Sequence, residues 1–326
     1  MSDRLYFVVP CYNEEDVLPE TSKRLNEKLV KLISDSKISP DSRILFVDDG
    51  STDETWNMIK ALSLANDHFS GISLSRNRGH QNALLAGLEA ARGKADMVIS
   101  MDADLQDDID AADKMVDAYL DGADVVYGVR SRRDKDSFFK RLTAEGYYKM
   151  LSAMGCSVVF NHADYRLLSA RALNALSLYG ERDMYIRGVI PMLGFKTATV
   201  EYARGARFAG ESKYPLKKML KLASDGALSL SLRPLSIITL IGAVLLAMTA
   251  ALLVYSIVQA CNGYTLLDWK IVTISVWGVG GLLLVGLGIV GKYVGRAYME
   301  MKNRPRYHIG DTVGFDAKNG GKGASF

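Results

Sequence analysis

Cysteine is scarce in this chain: Cys11, Cys156 and Cys261 are the three among 326 residues. An odd number without a CxxC pair excludes a disulfide framework and a CxxC zinc site, and the natural reading is a reducing compartment. Cys11 reads as a small apolar filler, since nothing beside it marks a nucleophile. Histidine, with four residues, is too sparse for a metal cluster, and His80 reads as a loop or helix-start residue. An excess of charge of either sign is missing as well. Lys and Arg number 40 against 37 Asp and Glu, a net charge of +3, which gives no prior for nucleic acid as a partner. The chain is not short of apolar residues, and at 48% hydrophobic it is not disordered. The opening MSDRLYFVVP turns polar at Cys11-Tyr12-Asn13-Glu14, too short a run and wrongly flanked for a signal peptide.

The near-balance of charge conceals a pattern. Residues 1–203 carry 25 basic and 31 acidic side chains, a net of −6. Residues 204–233 carry seven basic and two acidic, and residues 292–306 carry five and one. Between these basic bands lie 25 uncharged residues, Leu235 to Gln259, and 21 more, Ile271 to Gly291. A transmembrane helix needs roughly 20 apolar residues to cross about 30 Å of hydrocarbon. Both runs are therefore expected to span a membrane; the competing reading, two buried core helices, would usually bring some polar face. The short connector from Ala260 to Lys270 implies an antiparallel hairpin with both outer ends on one side. Basic flanks favour the cytoplasm, so residues 1–233 and the tail from 293 to 326 are expected there, in a multi-pass inner-membrane protein. Gly286-Leu287-Gly288-Ile289-Val290-Gly291 matches GxGxxG, but it follows no strand and sits inside an uncharged run. Close helix packing, with Gly295 beyond, is the better reading, and it would permit a homo-oligomer.

Upstream of the spans, short β-branched or aromatic runs alternate with longer helical patterns. The strands are Leu5–Val9, Ile44–Val47, Gly71–Leu74, Met97–Met101 and Ala123–Tyr127; the helices are Glu15–Ile33, Glu54–Ala65, Gln81–Ala91 and Ile109–Leu120. Such alternation indicates an α/β domain with a mostly parallel sheet covered on both faces. Ligands of these sheets bind beyond the carboxyl ends of the strands. Three strand ends carry acidic and turn residues: Pro10-Cys11-Tyr12-Asn13-Glu14, Asp48-Asp49-Gly50-Ser51 and Asp102-Ala103-Asp104. Helix caps such as Asp53 account for part of that acidity without function. The Asp102-Ala103-Asp104-Leu105-Gln106 cluster matters most. Adjacent carboxylates repel unless a cation or donors neutralise them, and Mg²⁺ or Mn²⁺ commonly joins such carboxylates to a diphosphate.

These motifs, with Asn77-Arg78-Gly79 between them, resemble the family 2 glycosyltransferases of the GT-A fold over residues 5–215. The two C-terminal spans narrow the match. The chain is similar to the polyprenyl-phosphate glycosyltransferases, the group containing dolichyl-phosphate mannose synthase and the bacterial GtrB-type glucosyltransferases. Asp164-Tyr165-Arg166-Leu167-Leu168-Ser169 and Arg207-Phe208-Ala209-Gly210-Glu211-Ser212-Lys213-Tyr214 also resemble that group. The resemblance implies a GT-A (Rossmann-like) domain over 1–212, an interfacial amphipathic helix over 213–233, a transmembrane hairpin within 234–292 and a tail over 293–326. It further implies that Pro10, Tyr12, Glu14, Val47 and Asp49 line the base and ribose of a nucleotide sugar. Asp102, Ala103 and Asp104 would meet ribose, diphosphate and metal, Gln106 would complete the metal shell, and Arg207 and Lys213 would hold the diphosphate. Arg130, with Lys140 or Arg141, would receive the phosphate of a polyprenyl phosphate lipid. Asp164 lies where GtrB-like enzymes have a proposed catalytic aspartate. The chain departs from the common Asn-Phe-Gly motif at Arg78, and reads Asp107-Asp108 where the family often has a proline.

The residue types suit transfer of a hexose from a nucleotide sugar to a lipid phosphate; UDP as the nucleotide and inversion of the anomeric centre are what the resemblance implies. Cations and a metal on Asp102, Asp104 and Gln106 would stabilise the leaving diphosphate. A phosphate monoester has a second pKa of about 6 and hardly needs deprotonation, which leaves Asp164 open as a base, as an orienter of a basic residue, or as a structural group. Tyr214, Leu216, Leu220, Ala223, Ala227 and Leu230, with Lys217, Lys218 and Lys221 between them, form the pattern of an interfacial helix. Phe138–Leu151 offers a second. A processive polysaccharide synthase is disfavoured, because none of Trp56, Trp269 and Trp277 closes a Gln-x-x-Arg-Trp motif. A transferase to a diacylglycerol-type lipid would make a base at Asp164 obligatory, and a catalytically silent scaffold would have no need of Asp102, Asp104 and Gln106. The tail from Asp311 is expected to be mobile, with a short strand over 305–309.

Overall fold

Strand and helix alternate as the hydrophobic pattern predicts. The computed structural model describes residues 2–130, 162–181, 184–203, 258 and 269–314. The first half runs β1 (Leu5–Cys11), α1 (Leu18–Ser34), β2 (Arg43–Asp48), α2 (Thr55–Ala65), β3 (Phe69–Leu74), α3 (His80–Ala91), β4 (Met97–Ser100), α4 (Ala111–Leu120) and β5 (Val125–Arg130). There follow β6 (His162–Ser169), α5 (Ala170–Leu176), α6 (Ile186–Met192), β7 (Thr197–Tyr202), α7 (Trp269–Met301) and β8 (Ile309–Val313). Among the described residues the strands form one sheet in the order β7-β5-β6-β4-β1-β2-β3-β8. Strands β4, β1, β2 and β3 are mutually parallel, and β7 is parallel to β5. Strand β6 runs antiparallel between β4 and β5, and β8 antiparallel to β3.

Both faces of the sheet are covered, which is why β1 is buried at every position. Alternate residues of β1 serve opposite cores. Phe7 and Val9 pack with Leu25 and Leu29 of α1 and Met115 of α4, whereas Tyr6 and Val8 pack with Leu84 and Leu88 of α3. Helix α3 lies so close to the sheet that a Cβ at Gly87 would run into Val8 and Val47. Helix α4 begins at Ala111, two residues later than expected, because the Asp110 N–H donates to Asp108 Oδ1 at 2.9 Å in a turn that holds the chain off the helix.

The tail differs from its expectation. Its strand is Ile309–Val313 rather than 305–309, so Asp311 to Val313 belong to the sheet. Without them β3 would present an open edge. Trp56 Nε1 donates to Asp311 Oδ2 at 3.2 Å and Arg43 donates to the Gly314 carbonyl, fastening the strand.

The chain divides into two units, Met1–Ala223 with Pro305–Phe326, and Ser224–Arg304. In the second unit, the run expected as the second span lies within the single helix α7. Val272, Val276, Val279, Leu283, Leu287, Val290 and Val294 recur on it every three or four residues and are exposed. Among the described residues no helix is long and apolar enough to cross a membrane. Apart from Val258, the expected first span lies outside the described residues, as do both expected interfacial helices.

Candidate active site

The carboxyl ends of β1 and β2 are stitched to each other by side chains. The Asn13 N–H donates to Ser51 Oγ at 3.0 Å, the Thr52 N–H to Asn13 Oδ1 at 2.9 Å, and the Glu14 N–H to Thr55 Oγ1 at 2.9 Å. Asn13 has φ of 52° and Gly50 of 67°, both left-handed. A Cβ on Gly50 would come within 2.6 Å of the Arg76 carbonyl carbon, so only glycine lets these two loops meet. Asp48 accepts from the Ser51 N–H at 3.0 Å and from Ser73 Oγ at 2.6 Å. Asp49 accepts the Arg78 N–H at 2.7 Å and the Gly79 N–H at 2.8 Å. Burial pushes the Asp49 carboxyl up despite those two amides. The acidic pair therefore ties the loops after β2 and β3 together; Pro10 and Val47 are buried at the strand ends and Tyr12 is exposed.

Strand register creates the second wall. Ser100 of β4 pairs with Arg166 of β6, and continuing the antiparallel register by two brings Asp102 level with Asp164. His80 closes the gap from the start of α3: its Nε2 is 3.5 Å from Asp102 Oδ1 and 3.8 Å from Asp164 Oδ2. Burial pushes the Asp102 carboxyl up; His80 opposes that, and Asp164 and Asp104 add like-charge repulsion. Leu105 adopts φ of 56°, and the Gln106 N–H donates to Asp104 Oδ1 at 3.2 Å, turning the loop back on itself. Two carboxylates and an amide oxygen are hard donors of the kind that Mg²⁺ and Mn²⁺ take, and a cation would relieve the crowding at Asp102. The donor set fits such an ion. Among the described residues, however, no three His, Cys, Asp or Glu side chains are gathered as a metal cage.

Asp164 is gripped by two arginines. Arg187, on the first turn of α6, donates from Nε to Oδ1 at 3.0 Å and from Nη2 to Oδ2 at 2.7 Å. Arg166, two residues along the same strand face, donates to Oδ1. Burial alone would raise the Asp164 carboxyl, but the arginines and His80 outweigh it and hold the group far below the usual carboxylate range. Beyond β5 a third cluster forms. Arg130 and Tyr202 are register partners on β5 and β7; Arg130 Nε donates to the Tyr202 hydroxyl at 3.4 Å, which donates to Asp107 Oδ1 at 2.5 Å. Asp107 is buried and its carboxyl is pushed up to about 6 by that burial and by Asp102, against the pull of Tyr202 and Arg130.

Residues 6–177 match the family model of Glycosyl transferase family 2. The chain belongs to this glycosyltransferase family. Relatives extend over nearly its whole length. An uncharacterized glycosyltransferase, YkoT, of Bacillus subtilis (strain 168) is 47% identical over 94% of this chain and 90% of its own. A prophage bactoprenol glucosyl transferase homolog of Escherichia coli (strain K12) is 35% identical over 94% and 98%. The SfII prophage-derived bactoprenol glucosyl transferase of Shigella flexneri is 34% identical over 94% and 97%.

In this glycosyltransferase the structure brings Asp102 and Asp164 together around His80, with Asp104 close enough to repel Asp102, and sets Arg130 beside the same loop through Asp107. The Ala103 carbonyl accepts from Thr21, and the Gln106 N–H donates to Asp104. Lys140, Arg141, Arg207 and Lys213 lie outside the described residues. Sequence reasoning gave no site role to His80, Arg166, Arg187, Asp107 or Tyr202, although it read His80 as a loop or helix-start residue, and α3 does begin there. Asp164-x-Arg166 on a strand was the one local signal, since residues two apart share a face. Nothing in sequence spacing ties Arg187 to Asp164 or Tyr202 to Asp107, because the packing of helix α6 on β6 and of the loop after β4 on β7 makes those contacts.

Proposed function

We propose that this transferase moves a hexose from a nucleotide sugar, UDP-glucose by preference, to the phosphate of a polyprenyl phosphate, inverting the anomeric centre. The observation that carries the reading is the meeting of Asp102, Asp164 and His80 at the carboxyl end of the sheet, with Arg130 close by on Asp107. It puts an acidic, metal-suited loop next to guanidinium groups, which is what joining a diphosphate donor to a phosphate acceptor requires. Two relatives that carry the name bactoprenol glucosyl transferase support the acceptor class. The nucleotide would lie in the cleft of Pro10, Tyr12, Glu14, Val47 and Asp49.

Asp102, Asp104 and Gln106 would hold Mg²⁺ or Mn²⁺, which when bound supplies positive charge beside the leaving diphosphate. The chain's own residues do the rest. The Asp48 and Asp49 hydrogen bonds hold the donor cleft open, and Arg130 would bind the lipid phosphate. One acceptor oxygen forms a bond to the anomeric carbon as the bond from that carbon to the β-phosphate oxygen breaks, and the electron pair leaves with the nucleoside diphosphate. The acceptor, largely dianionic at neutral pH, has no proton to surrender on that oxygen.

A lipid acceptor places the enzyme at a membrane, and the uncharged runs 235–259 and 271–291 with their basic flanks support a cytoplasm-facing catalytic domain on an inner-membrane hairpin. The product would be a polyprenyl-phosphate hexose for cell-envelope glycans. The test is to incubate the full chain in lipid nanodiscs with undecaprenyl phosphate, Mg²⁺ or Mn²⁺ and a panel of labelled nucleotide sugars. Label from one sugar should become solvent-extractable, and its absence across the panel would defeat the reading.

A further inference from the structure

We infer that Arg187 is a phosphate ligand for the acceptor, and that Asp164 is its positioning residue rather than the general base. The inference rests on the proposed lipid-phosphate transfer and assigns a residue to its acceptor subsite.

Four observations converge. Both Asp164 oxygens already accept charged donors, Oδ1 from Arg166 and Arg187 and Oδ2 from Arg187. A carboxylate so engaged is a poor proton acceptor, and the dianionic nucleophile asks for none. Arg187 nevertheless keeps 30% of its side chain exposed, while Arg166 at 1% is sealed beneath. The buried arginine serves the fold, and the exposed one is presented to a ligand. The third observation is topological. Strand β6, which carries Asp164, lies between β4, which leads into the Asp102–Gln106 loop, and β5, which ends in Arg130. Arg187 is thereby fixed at the seam between the donor loop and the acceptor arginine. Finally, Arg187 and Arg130 are close enough for each to oppose the other's charge, and each is tethered by its own carboxylate, Asp164 and Asp107. Two guanidinium groups held near one another against repulsion suit a doubly charged anion between them. The planar fork of arginine matches phosphate oxygens better than an ammonium does.

A phosphate at this seam could belong to the lipid or to the donor diphosphate, and steady-state kinetics separates the two. Initial rates of the full chain in nanodiscs would be measured against undecaprenyl phosphate at saturating UDP-glucose, and the reverse. Arg187→Gln should raise the KM for undecaprenyl phosphate about tenfold or more while leaving the KM for UDP-glucose within about twofold. Arg187→Lys keeps the charge without the fork and should show a smaller rise of the same kind. Asp164→Asn should mimic Arg187→Lys, and the double variant should be little worse than either alone, since both act through one contact. Unchanged UDP-glucose affinity shows that the variants are folded; should Arg187→Gln fail to fold, Arg187→Lys carries the test. A rise confined to the UDP-glucose KM would move Arg187 to the donor side and overturn the inference. Complete loss of turnover in Asp164→Asn with both affinities intact would restore the base and also overturn it. If the wild-type chain labels no polyprenyl phosphate from any sugar in the panel, the underlying reading fails first, and that result is distinct from wild-type transfer with an unmoved lipid KM.

Discussion

Arg187 Nε lies 3.0 Å and Nη2 2.7 Å from the two oxygens of Asp164, a side-on bidentate pairing between residues 23 positions apart. It turns the expected catalytic aspartate into the anchor of a cation. With Arg166 on the same carboxylate, the two guanidinium groups outnumber the one carboxylate they share, which suits the proposed phosphate acceptor.

The pairing fixes a pH dependence. The Asp164 carboxyl is held well below the ordinary carboxylate range, so it stays ionised from about pH 4 upward and changes no charge near neutrality. The acid limb of the transfer rate should then follow the second ionisation of the acceptor phosphate, at about pH 6. Asp164→Asn should lower the rate without moving that limb. A pH–rate profile that loses its acid limb in this variant would mark Asp164 as the titrating base.

Asp104 sits in the loop that fits a divalent cation, with its Oδ1 accepting the Gln106 N–H at 3.2 Å. Asp104→Ala should reduce transfer by about a hundredfold or more, as expected when charge stabilisation of a leaving group is removed. The thermal midpoint should change little, because the side chain is not part of either core. Retained metal-dependent turnover would remove the loop from the mechanism.

Arg130 is oriented by Tyr202, which in turn donates to buried Asp107. Arg130→Ala should raise the requirement for lipid phosphate more than that for nucleotide sugar. Tyr202→Phe removes one link and should give a smaller shift of the same kind, about 1 kcal/mol in kcat/KM for the lipid. Kinetics with each substrate varied in turn would show it, and an effect on the donor alone would separate Arg130 from the acceptor.

Stability offers a check on the fold that needs no substrate. A Cβ at position 87 would overlap Val8 and Val47, which are both fully buried. Gly87→Ala should cost about 1–3 kcal/mol, the usual penalty for overpacking a close-packed interior. Chemical unfolding of the full chain in detergent would measure it, and an unchanged midpoint would mean that α3 stands further from the sheet than described.

The strands and helices of the first 130 residues were legible because their chemistry is local. A fully buried parallel strand reads as an unbroken apolar run, and Leu5–Val9 and Ile44–Val47 both do. The three acidic strand ends were legible for the same reason, and the family motifs gave them their expected roles. His80 was not, because Gly79 with φ of 88° turns it toward Asp102, and that turn is invisible in composition.

The amino-acid sequence by itself determined the α/β alternation, the carboxylate loop at 102–106, the two uncharged runs and the family of glycosyltransferases. Each of these is written in neighbouring residues. Tertiary structure alone decided that Asp164 holds Arg187, that Tyr202 links Arg130 to Asp107, and that Ile309–Val313 returns to cover the edge of β3. Those contacts follow from how strands, helix α6 and the loop after β4 pack together, which brings distant side chains within hydrogen-bonding reach, and no spacing along the chain encodes them.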